Sequence, residues 1–193
     1  MMKGKKPGTV RIIGGRWRGR RLPVADLPGL RPSGDRGREI LFNWLQADIR
    51  NANCVDLFAG TGVLGLEAVS RGAGQVTLVE KDPRAARAIE QSVELLSSDP
   101  GKAKVRVINT DALHWLQSCP AECLDIVFID PPFGSGLESR VLELIDEGDC
   151  LARGAQVYLE TARQSAETPL PAGWITDREK LLGEVRMQLL KKI

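Results

Sequence analysis

Residues 54–80 constrain the fold of this chain more than any other stretch. An apolar strand pattern runs into a turn with Gly60, Gly62 and Gly65 at the spacing G-x-G-x-x-G, and an apolar helical pattern follows. A second strand pattern ends in Glu80, eighteen residues after the middle glycine. This order predicts a parallel βαβ unit in which the acid lies at a strand tip and can bind ribose hydroxyls. We therefore expect a doubly wound α/β fold with a nucleoside-containing cofactor.

Asp56 separates two classes of such cofactor, NAD and S-adenosylmethionine. A dinucleotide places its pyrophosphate against the glycine turn, where the carboxylate of Asp56 would repel it. S-adenosylmethionine has no phosphate and carries a sulfonium and an ammonium group, so the acidic turn favours it. We expect the cofactor to contact the end of the first strand, the glycine turn and the next two strand tips, at Asp56, Phe58, Ala59, Gly60, Thr61, Gly62, Glu80, Asp111 and Ala112.

A second motif suits methyl transfer to an amine on a flat ring. An apolar strand pattern leads into Asp130-Pro131-Pro132-Phe133, and two prolines stiffen the turn because they cannot continue a sheet. If the Asp130 carboxylate and the Pro131 carbonyl accept both amine hydrogens, the nitrogen lone pair can be aimed at a methyl donor. Phe133 can stack on a base that has left its helix. We predict these four residues as catalytic, although an Asp-Pro turn by itself also simply ends core strands.

The net charge of +2 hides a strong asymmetry. Residues 1–38 hold eleven Lys or Arg and two Asp, whereas residues 39–193 hold sixteen basic and twenty-three acidic residues. A basic arm on an acidic body is expected where one end meets a polyanion, while a solvated tail is the plainer alternative. We divide the chain into an RNA-contacting arm at 1–38 and a cofactor-binding domain at 39–193.

A β-hairpin is predicted within the basic arm. Strand patterns at residues 10–13 and 16–22 flank the dipeptide Gly14-Gly15. Arginines there can contact phosphates, and Trp17 can stack on an exposed base. The predicted RNA contacts, including two arginines at the start of the next helical pattern, are Arg11, Arg16, Trp17, Arg18, Arg20, Arg21, Arg36 and Arg38.

Other features exclude several classes of protein. No apolar run is long enough to span a bilayer, and there is no signal-peptide core. The four cysteines lack zinc-type spacing, and His114 is the only histidine. We expect no metal, no membrane partner, and reduced thiols in a cytoplasmic protein.

The remaining patterns alternate between strands and helices. Strands are predicted at 104–109, 124–129 and 156–160, helices at 83–96 and 137–147, and a closing hairpin at 174–180 and 184–191. This alternation predicts a doubly wound, mostly parallel sheet.

The cofactor and Asp130 motifs together resemble those of class I methyltransferases that act on amino groups. The hairpin at 11–20, the segment at 31–39 and the ending Arg178-Glu179-Lys180 narrow this to a resemblance to the bacterial 16S rRNA guanine-N2 methyltransferase D family. The resemblance implies a Rossmann-like fold with a seven-stranded sheet, a C-terminal antiparallel hairpin and an N-terminal β-hairpin extension. It also implies methylation of one guanine of 16S rRNA with S-adenosylmethionine, in an assembled or partly assembled small ribosomal subunit. Apart from the resemblance, we expect a monomer.

Three alternatives stay open. An N6-adenine DNA methyltransferase uses a similar Asp-Pro-Pro-Phe motif, but this chain lacks an evident target-recognition domain. A methyltransferase for a protein amide fits the basic arm less well. A non-catalytic RNA-binding assembly factor would not need the acids Asp56, Glu80 and Asp130.

Overall fold

The computed structural model describes residues 8–24, 34–97 and 104–193. Residues 31–33, part of the segment that carries the family resemblance, lie outside the described residues. The β-strands found in the described ranges are β1 (Thr9–Arg11), β2 (Arg21–Pro23), β3 (Asn53–Asp56), β4 (Gln75–Glu80), β5 (Lys104–Asn109), β6 (Leu124–Ile129), β7 (Leu151–Ala162), β8 (Trp174–Leu182) and β9 (Val185–Lys192). The α-helices found there are α1 (Asp35–Trp44), α2 (Val63–Ser70), α3 (Pro83–Ser97), α4 (Ala112–Leu116) and α5 (Glu138–Glu147).

Seven strands form one sheet in the order β5-β4-β3-β6-β7-β9-β8. The first five are mutually parallel, and β9 runs antiparallel to both β7 and β8. The predicted fold class, including the C-terminal antiparallel hairpin, is confirmed. The order reverses at β3, which lies between β4 and β6, and ligands in such sheets bind beyond the carboxyl ends of the strands at that reversal.

Apolar side chains from successive strand positions fill both faces of the sheet. One core contains residues of α1, α2 and α3, such as Leu41 and Leu66, against Phe128 of β6. The other contains residues of α4 and α5, such as Leu116, against Ile129. Because strand side chains alternate between faces, the continuous apolar run of β6 supplies both cores.

β7 is longer than the predicted strand at 156–160. Its register with β6 shifts between the pairs Leu124–Leu151 and Ile126–Gln156, so β6 advances two residues while β7 advances five. The additional residues include Gly154, whose φ is +81°. A bulge of this kind accommodates residues that do not follow the simple alternation used for prediction.

The N-terminal hairpin exists, but its predicted turn is wrong. β1 and β2 pair antiparallel, with Val10 opposite Leu22, and a single 3-10 turn at Gly15–Trp17 lies in the long connection between them. Gly15 has φ +70°, and a Cβ on it would lie 1.9 Å from the carbonyl oxygen of Ser70. This glycine is needed for the close approach of the connection to α2, rather than for a two-residue hairpin turn.

The hairpin is packed into the core of the protein. Val10, Ile12 and Trp17 are buried in the same cluster as the residues of α1 and α2. α1 begins at Asp35 and therefore crosses the division between residues 38 and 39. The assignment of one part to RNA and the other to a cofactor stays a prediction about function.

The structure also bears on membrane helices, metal clusters and the cysteines. Within the described residues, no helix combines the length and hydropathy needed to cross a membrane. The same ranges contain no group of three or more His, Cys, Asp or Glu side chains arranged to hold a metal ion. Cys119 and Cys123 are free thiols whose sulfur atoms lie 3.7 Å apart, and Cys54 and Cys150 are buried free thiols.

Candidate active site

The glycine turn connects β3 to α2. The N–H of Gly62 donates to the carbonyl of Ala59 at 2.6 Å, which closes the turn immediately before the helix. Gly62 has φ +73°, and a Cβ at this position would lie 3.0 Å from the side chain of Ile89. The turn therefore needs glycine for its backbone conformation and for its contact with α3.

Glu80, at the end of β4, holds this turn in place. One carboxylate oxygen accepts the N–H of Gly60 at 2.7 Å, and the other accepts the N–H of Asp82 at 2.7 Å. Each carboxylate oxygen can accept a further hydrogen bond, so these contacts leave capacity for a hydroxyl group. Binding of ribose by Glu80 stays a prediction, but its additional structural role is clear from the geometry.

Asp56 is almost completely buried beneath the turn. Its Oδ2 accepts the N–H of Gly65 at 3.2 Å, whereas its buried Oδ1 has no hydrogen-bond partner in the part of the chain that the structure describes. Burial raises the pKa of Asp56 to about 7, the Gly65 N–H opposes this effect, and the charge of Glu80 adds to it. A cationic group near Oδ1 would satisfy this oxygen and favour the ionised carboxylate. This donor requirement fits a cofactor that carries an ammonium group.

Asp111 forms the N-cap of α4. Its Oδ1 accepts the N–H of Leu113 at 2.9 Å, and its Oδ2 lies 3.1 Å from the ammonium nitrogen of Lys81. Burial alone would raise the pKa of Asp111, but the hydrogen bonds from Lys81 and Leu113 outweigh it, and the pKa is lowered. Ala112 is buried in the core, and its contact with a cofactor stays a prediction.

Asp130 and its three following residues leave the sheet at the carboxyl end of β6. Pro131 is buried, whereas Phe133 is 54% exposed. The N–H of Ser135 donates to the carbonyl of Pro132 at 3.0 Å, which closes a turn that presents the aromatic ring at the surface. Gly134 follows with φ +75°. The exposed ring of Phe133 is accessible for stacking on a flat ligand, and Asp130, three residues before it, is half-buried.

β3 and β6 are parallel neighbours, and this brings the two motifs to the same edge of the sheet. Asp56 is paired with Phe128, and the N–H of Leu57 donates to the carbonyl of Phe128 at 3.1 Å. The glycine turn therefore starts next to the strand that ends at Asp130. The two motifs, which are far apart in the sequence, therefore lie side by side at one edge of the sheet.

One pair of residues near this site was not predicted. The hydroxyl of Tyr158 donates to Oε2 of Glu160 at 2.5 Å, and both residues are buried on β7. Burial raises the pKa of Glu160, against the hydrogen bond from Tyr158. Burial also raises the pKa of Tyr158, and the negative charges of Glu160 and Asp130 raise it further. The available signal was an acid at the carboxyl end of the strand predicted at 156–160.

Arg38 does not fit its predicted contact with RNA. It is 1% exposed, and its guanidinium pairs with the buried carboxylate of Glu67 at 3.3 Å and with Asp35. Burial lowers the pKa of Arg38 from its ordinary value, against the opposing charges of Glu67 and Asp35. Without the guanidinium of Arg38, the buried charge of Glu67 would have fewer hydrogen-bond donors.

Trp17 is also wrongly predicted to stack on a base. It is 4% exposed and lies in the core, while its backbone N–H donates to Oγ of Ser70 at 2.9 Å. The indole of Trp17 is covered by the guanidinium of Arg16, 4.5 Å from the ring centre. Its large apolar surface is used for packing of the hairpin against α2.

The other predicted RNA contacts lie on the surface. The exposed arginines of this set are Arg11, Arg16, Arg18, Arg20, Arg21 and Arg36. A groove of about 570 Å³ separates the hairpin connection from the polar side of α1, and its lining includes Arg11, Arg18, Asp35 and Glu39. Arg11 pairs with Asp35 at 2.8 Å across this groove. The surface offers both cationic groups for phosphates and acceptors for base edges.

Comparisons with known proteins agree with this arrangement. The model of the family described as Conserved hypothetical protein 95 matches residues 10–191. The chain is similar to the ribosomal RNA small subunit methyltransferase D of Escherichia coli strain K12, with 44% identity over 195 residues that cover 97% of this chain and 95% of the relative. The protein of the same name from Haemophilus influenzae is 41% identical over 185 residues, which cover 94% of this chain and 93% of the relative.

A solved structure shows the same likeness in three dimensions. It is that of an Escherichia coli protein described as a candidate methyltransferase, with a TM-score of 0.86 and 41% identity. The match covers 96% of this chain and 98% of the other. The range that the family model matches includes the glycine turn, the strand that leads into Asp130 and the hairpin from Val10 onward.

Proposed function

The chain belongs to the ribosomal RNA small subunit methyltransferase D family, and on that premise we propose that it transfers a methyl group from S-adenosylmethionine to the exocyclic N2 amine of one guanine in 16S rRNA. The observation that carries this proposal is the position of Asp130 and Phe133 at the same sheet edge as the glycine turn. We expect the protein to act as a cytoplasmic monomer on an assembled or partly assembled small subunit.

The residues that would hold the cofactor fit its chemistry. Asp56 has an unsatisfied buried oxygen for a cation, and Glu80 lies at the second strand tip with capacity for ribose hydroxyls. Asp111 caps α4 at the third strand tip, where its carboxylate is a candidate acceptor for the adenine amino group. When bound, S-adenosylmethionine supplies an electrophilic methyl group on a sulfonium.

Asp130 would orient the substrate amine. Its carboxylate and the carbonyl of Pro131 accept the two hydrogens of N2, so that the lone pair points at the methyl group. Phe133 stacks on the base after it has left its helix. A strong base is not needed, because the nitrogen becomes acidic only as the new bond forms. Orientation and proximity therefore supply most of the rate acceleration.

The exposed arginines of the hairpin would contact the RNA backbone. Cationic side chains on one surface provide affinity that does not depend on sequence and that decreases with salt. Contacts of this kind position the RNA, while the loop after β6 selects the reacting base. This division of roles matches a basic hairpin packed against α2, the helix that follows the glycine turn.

The proposal is tested by supplying methyl-labelled S-adenosylmethionine to the purified protein. Unmodified small subunits, naked 16S rRNA, DNA and ribosomal protein are incubated separately, and the labelled products are digested and mapped. Label in N2-methylguanosine at one position of 16S rRNA is the expected result, and the better RNA substrate reveals the stage of assembly. Label in N6-methyladenine of DNA, in a protein amide, or in no substrate despite cofactor binding would contradict the proposal in favour of one of the three alternatives.

A further inference from the structure

We propose that Glu160 determines specificity for guanine by accepting the N1–H of the target base beside the amine held at Asp130. This inference deepens the proposed function and rests on it. Glu160 is not part of the motifs from which the site was predicted. It lies two residues before the carboxyl end of β7, next to β6, the strand that leads into Asp130.

The register of the sheet places Glu160 beside Asp130. Phe128 pairs with Tyr158 and Ile129 pairs with Leu159 at the end of β6. Asp130 directly follows Ile129, and Glu160 directly follows Leu159, so extension of this register by one residue aligns Asp130 with Glu160. The paired residues Phe128 and Tyr158 point to the same face of the sheet, and so do the residues two positions further along each strand. Neighbouring strands are only about 4.8 Å apart. Asp130 therefore shares a face with Glu160, and the influence of its charge on the pKa of Tyr158 agrees with this proximity.

Tyr158 fixes the orientation of Glu160. Its hydroxyl donates to Oε2, and the same pair is buried, so the carboxylate has little freedom to turn. In the part of the chain that the structure describes, the hydrogen bond found at the Glu160 carboxylate is this one, to Oε2. The other carboxylate oxygen, Oε1, can accept a hydrogen bond from a ligand. The substrate is the candidate donor, because this end of β7 lies at the edge where the proposed target base binds.

Guanine supplies the donors that two adjacent acids require. Its Watson–Crick edge presents N1–H next to the N2 amine, and a flipped base is recognised through this edge. With Asp130 accepting a hydrogen of N2, Glu160 is placed to accept the hydrogen of N1. In adenine and in 2-aminopurine, N1 is an acceptor, and a carboxylate facing it would be repelled. The pair would thus select a base by the proton on N1 as well as by its amine.

The test compares guanine with 2-aminopurine at the mapped target position. 2-Aminopurine retains the reacting 2-amino group but has no N1–H. Small subunits are reconstituted with 16S rRNA in which one or the other base is introduced by ligation of a synthetic segment. We expect the wild-type protein to prefer guanine by roughly 100-fold in kcat/KM, since the analogue cannot form the hydrogen bond to a charged group.

Glu160→Gln replaces one acceptor oxygen of the side chain with an amide N–H donor and changes its size little. Because Tyr158 continues to donate to the side-chain oxygen, the amide nitrogen faces the base and can donate to N1 of 2-aminopurine. We expect the preference for guanine to fall to about 10-fold or less. Tyr158→Phe, which removes the hydroxyl that holds Glu160 and lets its side chain turn, is expected to give an intermediate preference. Glu184→Gln, at an exposed acid in the turn between β8 and β9, is the matched control.

The ratio of the two substrates separates recognition from structure. A purely structural role would lower kcat/KM for guanine and 2-aminopurine by the same factor in Glu160→Gln, and this result would overturn the inference. Formation of N2-methylguanosine by the wild-type protein is measured first. If the wild type forms none, the proposed function and this inference both fail, whereas an unchanged preference in an active Glu160→Gln variant removes only the inference.

Discussion

Replacing Glu67 with glutamine is expected to destabilise the protein by disrupting the interface between the N-terminal hairpin and α2. The carboxylate is completely buried. Its two oxygens accept four donors, which are the backbone N–H groups of Ile13 and Gly14 at 2.8 and 2.7 Å and the guanidinium groups of Arg38 and Arg71 at 3.3 and 2.8 Å. Glutamine keeps one oxygen as an acceptor but replaces the other with an NH2 group. The two N–H donors of this group would face groups that are themselves donors.

The expected decrease in the free energy of unfolding follows from the disruption of a buried ion pair. Breaking such a pair by removing one partner costs about 3–5 kcal/mol, because the remaining charge stays buried. Arg38 retains Asp35 as a partner, so we expect the lower end, about 3 kcal/mol. A domain of this size is stable by roughly 5–15 kcal/mol and should remain folded. At about 2–4 °C for each kcal/mol, the expected decrease in Tm is roughly 6–12 °C.

Urea unfolding at pH 7 measures this change directly. Glu90→Gln is the matched control, because Glu90 is exposed on α3 and the chemical change is the same. We expect the control to lie within about 0.5 kcal/mol of the wild type. Equal free energies of unfolding for the two variants would refute the view that Glu67 anchors the hairpin. A decrease of RNA affinity in Glu67→Gln with unchanged cofactor affinity would further connect this anchor to RNA binding.

Three other predictions concern the proposed ligands. Glu80→Ala should weaken binding of S-adenosylhomocysteine by roughly 10- to 100-fold in calorimetry, because it removes the acid at the ribose position and frees the glycine turn. Asp56→Asn should remove a pH dependence of stability: the folded pKa of about 7 exceeds the ordinary 3.8, so the wild type loses up to about 1.4 kcal/mol per pH unit as pH rises through this window. Replacing Arg18, Arg20 and Arg21 by glutamine should lower the slope of log affinity for 16S rRNA against log salt by about 0.7–0.9 for each phosphate that these arginines neutralise in the wild type.

Each of these predictions has a result that contradicts it. Unchanged cofactor affinity in Glu80→Ala, with Glu90→Ala as control, would remove Glu80 from the cofactor site. A wild-type stability that does not decrease between pH 4 and 7 relative to Asp56→Asn would contradict the buried, protonated acid. An unchanged salt slope in the arginine variant, compared with Arg87→Gln on α3, would place the RNA elsewhere. Point changes are preferable to deletion of residues 1–22, because Val10, Ile12 and Trp17 are part of the core.

The sequence was sufficient to predict the central sheet and its two motifs. β4, β5 and β6 have the bounds that their apolar patterns predict. These strands are short, and turn residues bound them, so their apolar patterns identify them without any knowledge of distant residues. The glycine turn and Asp130 meet at one edge because the topology of a doubly wound sheet brings its strand ends together.

The interface between the hairpin and α2 was not predictable in the same way. Trp17 and Arg38 are residue types that RNA surfaces often contain, and their burial depends on Ser70 and Glu67, which are 53 and 29 positions away. A buried acid in a helix that follows a cofactor turn gives no local sign of the donors it will receive. Glu160 was not predicted for a related reason, since only the register between β6 and β7 places it beside Asp130.

The central claim is that Asp130 orients the amine of a guanine in 16S rRNA for methyl transfer. Its most direct test is the single-turnover rate of N2-methylguanosine formation in small subunits, with saturating cofactor, for the wild type and Asp130→Ala. We predict a decrease of at least roughly 100-fold, because orientation supplies most of the acceleration, while the calorimetric Kd for S-adenosylhomocysteine changes little. Equal single-turnover rates in the two proteins would contradict the account.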